Sequence, residues 1–150
     1  MKNTFWIAVV TFYTICSFGQ GKNEVTFQAE IANKNGDVIY IKDKKDKTIK
    51  EIKIDKKGIF KDSFKIENAD FYVFFDGTEY TQLFLKNGYD LKMKMDAKQF
   101  DESIVYTGVG AAENNYLAQD ALKSEQLNPE KLAALSEADF KKMLDDTKLA

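Results

Sequence analysis

The chain has 150 residues, 44% of them apolar, a net charge of -2, no histidine, and lysine as its sole basic side chain. That length and apolar content suit one domain with a real core. Without histidine there is no proton shuttle near neutral pH and no imidazole ligand for a metal. Without arginine there is no bidentate clamp for phosphate or guanine, and the acidic balance argues against nucleic acid as a partner.

Residues 1–19 read as a secretory signal peptide. Lys2 supplies a positive start, Phe5 to Ile15 an apolar centre, and Ser17-Phe18-Gly19 small residues at the two positions a signal peptidase reads. Cleavage between Gly19 and Gln20 is expected, and the apolar run is too short to span a bilayer comfortably. Cys16 is the single cysteine. It is a poor lipidation site, because Ile15 is bulky where that processing takes Gly, Ala or Ser. Cleavage after Gly19 would leave no thiol chemistry. The expected destination is the periplasm or cell envelope, with no transmembrane segment once the signal is removed.

A β domain is expected over 20–110. Val25 to Ile31 alternates apolar and polar residues, which predicts a half-buried strand with Val25, Phe27, Ala29 and Ile31 inward. Val38 to Ile41 is apolar on both faces and predicts a central strand. From Lys42 to Lys57 eight lysines interleave with four acids. This reads as a hairpin facing water and blunting a sheet edge rather than as an anion-binding patch. Ile49, Ile52 and Ile54 mark its second strand.

Asp55-Lys-Lys-Gly58 predicts a turn with Gly58 at positive φ. Ile59 to Ile66 predicts a strand with Phe60, Phe64 and Ile66 on one face. Phe71–Phe75, Tyr80–Leu85 and Leu91–Met95, separated by Asp76-Gly77 and Asn87-Gly88, predict an antiparallel meander at the heart of the domain. Ile104 to Thr107 adds a last short strand. Seven or eight short strands with regular turns predict a mostly β fold: an antiparallel β-sandwich or a partly closed barrel.

After Gly108-Val-Gly110 the period changes from two to about 3.6, so 111–150 reads as an α-helical tail. Ala111 to Ser124 is one helix. Asn128-Pro129 starts a second, and Ser136 to Asp139 opens a third by a capping-box-like spacing. Phe140, Met143 and Leu144 give that last helix a narrow apolar stripe. With no stop signal after it, the chain reads as a piece of something longer.

Candidate chemistry is sparse. Gly108 and Gly110 lack the third glycine of a dinucleotide loop and the Gly-Lys-Ser/Thr of a phosphate loop, so a strand-to-helix hinge is expected. Asp101-Glu102 and Asp145-Asp146 are adjacent residues that point apart, unlike a glycosidase pair. Asp37, Asp43 and Asp46 miss the spacing of a calcium loop. Asn114-Asn115-Tyr116-Leu117 is the most distinctive polar spot. Its reading is first-turn satisfaction of backbone amides, with Tyr116 and Leu117 anchoring the helix on the sheet. No catalytic residue, cofactor or metal ligand is assigned.

The order of several of these pieces resembles the N-terminal domain, of unknown function, of bacterial envelope thiol:disulfide oxidoreductases of the TlpA and ResA type. The pieces are Ser17-Phe-Gly-Gln20, Gly36-Asp-Val-Ile-Tyr-Ile41, Ile54-Asp-Lys-Lys-Gly-Ile-Phe60 and Leu83 to Leu91. Above all, Tyr106-Thr-Gly-Val-Gly110 is followed by Glu113-Asn-Asn-Tyr-Leu117. The resemblance implies a β-sandwich, a helical linker and a thioredoxin fold carrying Trp-Cys-x-x-Cys, a motif this chain lacks. It therefore implies a non-catalytic accessory domain that positions or dimerises a thioredoxin-like domain or contacts an envelope oxidoreductase. The alternative is a stand-alone exported module binding a glycan or peptide, suggested by the aromatic surplus.

Overall fold

A computed structural model describes residues 23–126 and 128–148. Eight strands form two four-stranded sheets. One has the order β4-β1-β7-β8 and the other β3-β2-β5-β6. The strands are β1 (Val25–Ala32), β2 (Val38–Lys42), β3 (Thr48–Lys53), β4 (Ile59–Phe64), β5 (Asp70–Phe75), β6 (Tyr80–Leu85), β7 (Asp90–Asp96) and β8 (Val105–Val109). The helices are α1 (Phe100–Ser103), α2 (Ala111–Gln126), α3 (Pro129–Ala133) and α4 (Glu137–Lys148). The two sheets do not close into a barrel. Of the two architectures expected, the sandwich holds.

The alternation in β1 places Val25, Phe27, Ala29 and Ile31 in the core. Phe27 stands edge-on to Phe60 at 5.3 Å and to Phe74 of the facing sheet at 6.2 Å, which joins the two layers. Ile39 and Ile41 of β2 are fully buried, and β2 lies inside its sheet between β3 and β5. The lysine-rich β3 is an edge strand, as its composition predicts. Ile52 and Ile54 are buried, but Ile49 is 37% exposed: it lies three residues from Ile52, on the opposite face of the strand, and is the unpaired residue where the register shifts between Ile41 and Lys42. Gly58 has φ +82 and packs so close to Ile31 that an added Cβ would lie 2.0 Å from the Ile31 carbonyl oxygen.

The expected meander is half right. β5 and β6 form an antiparallel hairpin, but β7 leaves them and runs parallel to β1 in the other sheet. The Asn-Gly pair makes a two-residue hairpin when both residues take positive φ, and Gly88 does so (φ 99) while Asn87 does not. Here the Asn87 amide bonds instead to the backbone N–H and carbonyl of Ile66, at 3.2 and 2.8 Å. Gly88 then donates to the Glu24 carbonyl, and Thr26 donates to the Tyr89 carbonyl. These bonds draw the start of β7 alongside β1. Leu91, Met93 and Met95 are buried there, so β7 is a half-buried strand of the second layer.

The sequence reading missed α1. Its Phe100 is 3% exposed and plugs the core near Phe74, and the Ser103 hydroxyl accepts a hydrogen bond from the Asp96 N–H. In the tail, Asn128 caps α3 through the Glu130 N–H, and Ser136 caps α4 through the Asp139 N–H. Phe140 and Leu144 of the α4 stripe are each 38% exposed. The signal-peptide residues, with Cys16, Gly19 and Gln20, lie outside the described residues.

Candidate functional site

The motif residues Gly108, Gly110, Asn114 and Asn115 meet at one side of the sandwich, where β6 and β8 are the last strands of their sheets. Gly108 has φ +87, and a Cβ there would fall 2.2 Å from the Asp90 carbonyl oxygen. Gly110 has φ +96, and its Cβ would fall 2.2 Å from the Tyr89 ring. Both glycines are required by conformation and by space, and together they turn the chain from β8 into α2. The Tyr89 hydroxyl donates to Glu113 Oε1 at 3.0 Å. Burial, then the Glu113 carboxylate, raises the pKa of this phenol.

Asn114 is fully buried. Its Oδ1 accepts from the Phe84 N–H at 2.9 Å, and its Nδ2 donates to the carbonyls of Phe84 and Gly110 at 2.9 and 2.7 Å. Asn115 does the same to the other sheet: Oδ1 accepts from the Tyr106 N–H and Nδ2 donates to the Tyr106 carbonyl, each at 2.8 Å. Each amide thus imitates one residue of a neighbouring strand. Two adjacent asparagines cap the open edges of two sheets, which leaves these amides engaged with backbone rather than ligand.

The anchoring role expected of Tyr116 is overturned, since it is 68% exposed. Asn114 and Ala118 are both buried, one turn apart, so they define the inner face of α2. Tyr116 lies midway between them and faces outward, while Leu117 is half-buried.

No group of three or more acidic or cysteine side chains able to hold a metal occurs among the described residues. No helix among them is long and apolar enough to cross a membrane. Of the paired carboxylates, Glu102 is exposed and Asp101 half-buried. Burial first, then Glu125 and Glu102, pushes the Asp101 carboxyl up.

The lysine-rich hairpin uses its acids internally. Asp43 Oδ1 accepts from the N–H groups of Lys45 and Lys47, Lys42 pairs with Asp46 at 2.9 Å, and Lys44 pairs with Asp70 at 3.0 Å. A shallow cavity of about 520 Å³ between this hairpin and the start of β5 is lined by Lys44, Lys45, Lys47, Lys65, Asp70 and Phe71.

The outer face of the β3-β2-β5-β6 sheet is more distinctive. On β5, Tyr72 and Phe74 turn inward, so Phe71, Val73 and Phe75 turn outward. Phe71 meets Phe84 edge-on at 5.6 Å, Phe75 meets Tyr40 at 6.2 Å, and Lys42 Nζ sits 4.7 Å from the centre of the Phe75 ring. Sequence reasoning assigned Phe71 to Phe75 to the core as a block. The signal for an outward aromatic row was present, in that Phe71-Tyr-Val-Phe-Phe75 carries rings on both faces of one strand.

Comparison with protein-family models, with curated proteins and with solved structures returns no match.

Proposed function

We propose that this chain is a non-catalytic, exported β-sandwich that serves as the accessory domain of an envelope thiol:disulfide oxidoreductase of the TlpA and ResA type. The observation that supports the reading is the locked junction between sandwich and tail. Gly108 and Gly110 set the direction of the turn, and Asn114 and Asn115 bolt the first turn of α2 to both sheets. An arm held this firmly would carry an attached or associated thioredoxin-like domain at a defined orientation. The exposed Phe140 and Leu144 on α4 suit contact with such a domain or with a second copy of the chain.

Intact mass of the native protein from the envelope of its own host tests this. The expected result is a heavier polypeptide carrying a Cys-x-x-Cys thioredoxin domain, or this chain in stoichiometric complex with such a protein. A native protein of the mass of residues 20–150 with no such associate overturns it.

The aromatic row on β2, β5 and β6 favours a second reading, a stand-alone binding module with a glycan against these rings. A glycan library that raises the melting temperature of the chain, but not of Phe71→Ala, would support it. No shift with any glycan would end it.

A further inference from the structure

On the side that α2 caps, the closure of the β3-β2-β5-β6 sheet is partial. The Phe84 N–H and carbonyl bond to Asn114, so they point away from β5. Along an antiparallel edge strand such groups point outward at every second residue. Gln82 and Tyr80 therefore present their backbone groups in the same direction, beyond the reach of Asn114. β6 is the last strand of its sheet, and both residues are exposed. Between this stretch and the later turns of α2 lies a cleft of about 570 Å³, walled by Tyr80, Gln82, Asp101, Ala121 and Glu125.

A strand edge with room beside it is the geometry at which an extended peptide adds a strand, main chain to main chain. Among the described residues the walls of the cleft include Glu79, Asp101 and Glu125 and no lysine. Burial first, then the like charges of Glu125 and Glu102, disfavours the ionised form of Asp101, so a cation seated beside Asp101 would stabilise its carboxylate. The chain has a basic strand of its own in β3, but it lies at the opposite end of the same sheet. Joining β3 to β6 of another copy would propagate head to tail instead of closing. Lys50 of β3 is also held by Asp62 at 2.8 Å. A separate partner segment fits the site better than a second copy.

We propose that the β6 edge at Tyr80–Gln82 binds an extended, lysine- or arginine-bearing segment of a partner protein as an added strand, with its cationic side chains over Asp101 and Glu125. The proposal is independent of both readings above.

The test is fluorescence anisotropy on the full chain with a pool of labelled peptides about eight residues long, lysine alternating with valine or threonine. Saturable binding is expected from lysine peptides and not from glutamate counterparts. N-methylation of alternate amides should weaken it about tenfold or more, as should Gln82→Pro, which removes one outward N–H at an edge position where proline is tolerated. Asp101→Asn combined with Glu125→Gln should weaken it several-fold. Hydrogen exchange at the Gln82 amide of the unaltered chain should slow when peptide is added, which keeps the test decisive if the proline variant does not fold. The proposal is overturned if no peptide in the pool binds, if N-methylation has no effect, or if protection maps to another surface. It is equally overturned if sedimentation shows the free chain already self-associated through this edge.

Discussion

Where β6 and β8 end the two sheets, adjacent asparagines on one helix bond to the backbones of both strands. Where β3 and β4 end them on the opposite side, an ion pair, Lys50 with Asp62, links the two strands among exposed lysines. The first solution depends on two specific side chains held at fixed positions. The second depends on a diffuse property, charge along an edge, which discourages another strand from pairing. Damage to the first side should therefore be severe and local, and damage to the second mild and sensitive to salt.

The sharpest break of this contrast is Asn114→Ala. It removes a fully buried side chain, leaves the Phe84 N–H and carbonyl and the Gly110 carbonyl without its amide, and should cost about 3 kcal/mol in urea unfolding. Asn115→Ala should cost about 1–2 kcal/mol by the same measurement, since the half-buried Asn115 amide makes two backbone bonds where the fully buried Asn114 makes three. Equal losses from the two would show that the buried bond is not the stronger fastening.

Gly110→Ala and Gly77→Ala separate conformation from space. Both glycines have φ near +100, but a Cβ at Gly110 strikes the Tyr89 ring while one at Gly77 meets nothing within 4 Å. Thermal or urea unfolding should show about 1 kcal/mol lost at Gly77 and about 3 kcal/mol at Gly110. If the two fall together, the packing against Tyr89 is not what demands glycine at 110.

On the charged side, Lys50→Ala should cost no more than about 0.5 kcal/mol at low salt, and the loss should vanish in high salt. A loss that persists in salt would mean that the lysine stem packs rather than pairs.

Two smaller effects concern groups that the fold leaves in poor company. The Tyr106 hydroxyl is buried without a hydrogen-bond partner, and burial holds its pKa well above the usual phenol value. Tyr106→Phe should be neutral or stabilise by up to about 1 kcal/mol. Asp101 has a folded pKa raised above its unfolded value, so its ionised form is disfavoured in the folded protein. Its stabilising contribution is present below the unfolded pKa and lost as pH rises through the folded one. Asp101→Asn should thus raise the melting temperature at pH 7, with the gain shrinking to nothing below about pH 4.

Much of this architecture was written locally. Period-two alternation marked the inward faces of β1 and β4, because a strand with one buried face must alternate. Gly58 was legible as a positive-φ turn, and Asn128 and Ser136 as caps, because each of these roles is set by a few neighbouring atoms. The interleaving of Asp43 and Asp46 with lysines likewise pointed to a hairpin that uses its acids internally, whereas the pairing of Lys44 with Asp70 of β5 is a tertiary contact.

What tertiary structure alone decided were the relations between distant segments. Asn87-Gly88 has the chemistry of a hairpin, yet the Asn87 amide found Ile66, and β7 crossed to pair in parallel with β1. Asn114 and Asn115 stood out as polar residues at a helix start. That one would cap β6 and the other β8 depends on two sheet edges lying side by side, which no local pattern encodes. Tyr116 was drawn to the wrong face for the same reason, since the inner face of α2 is chosen by where those edges lie. The outward row of Phe71, Phe75 and Tyr40, and the open stretch of β6 at Gln82, are further properties of the assembled sheet. The sequence determined which segments would be strands, most of the turns and the tail helices; packing determined which edges were closed and which were left open.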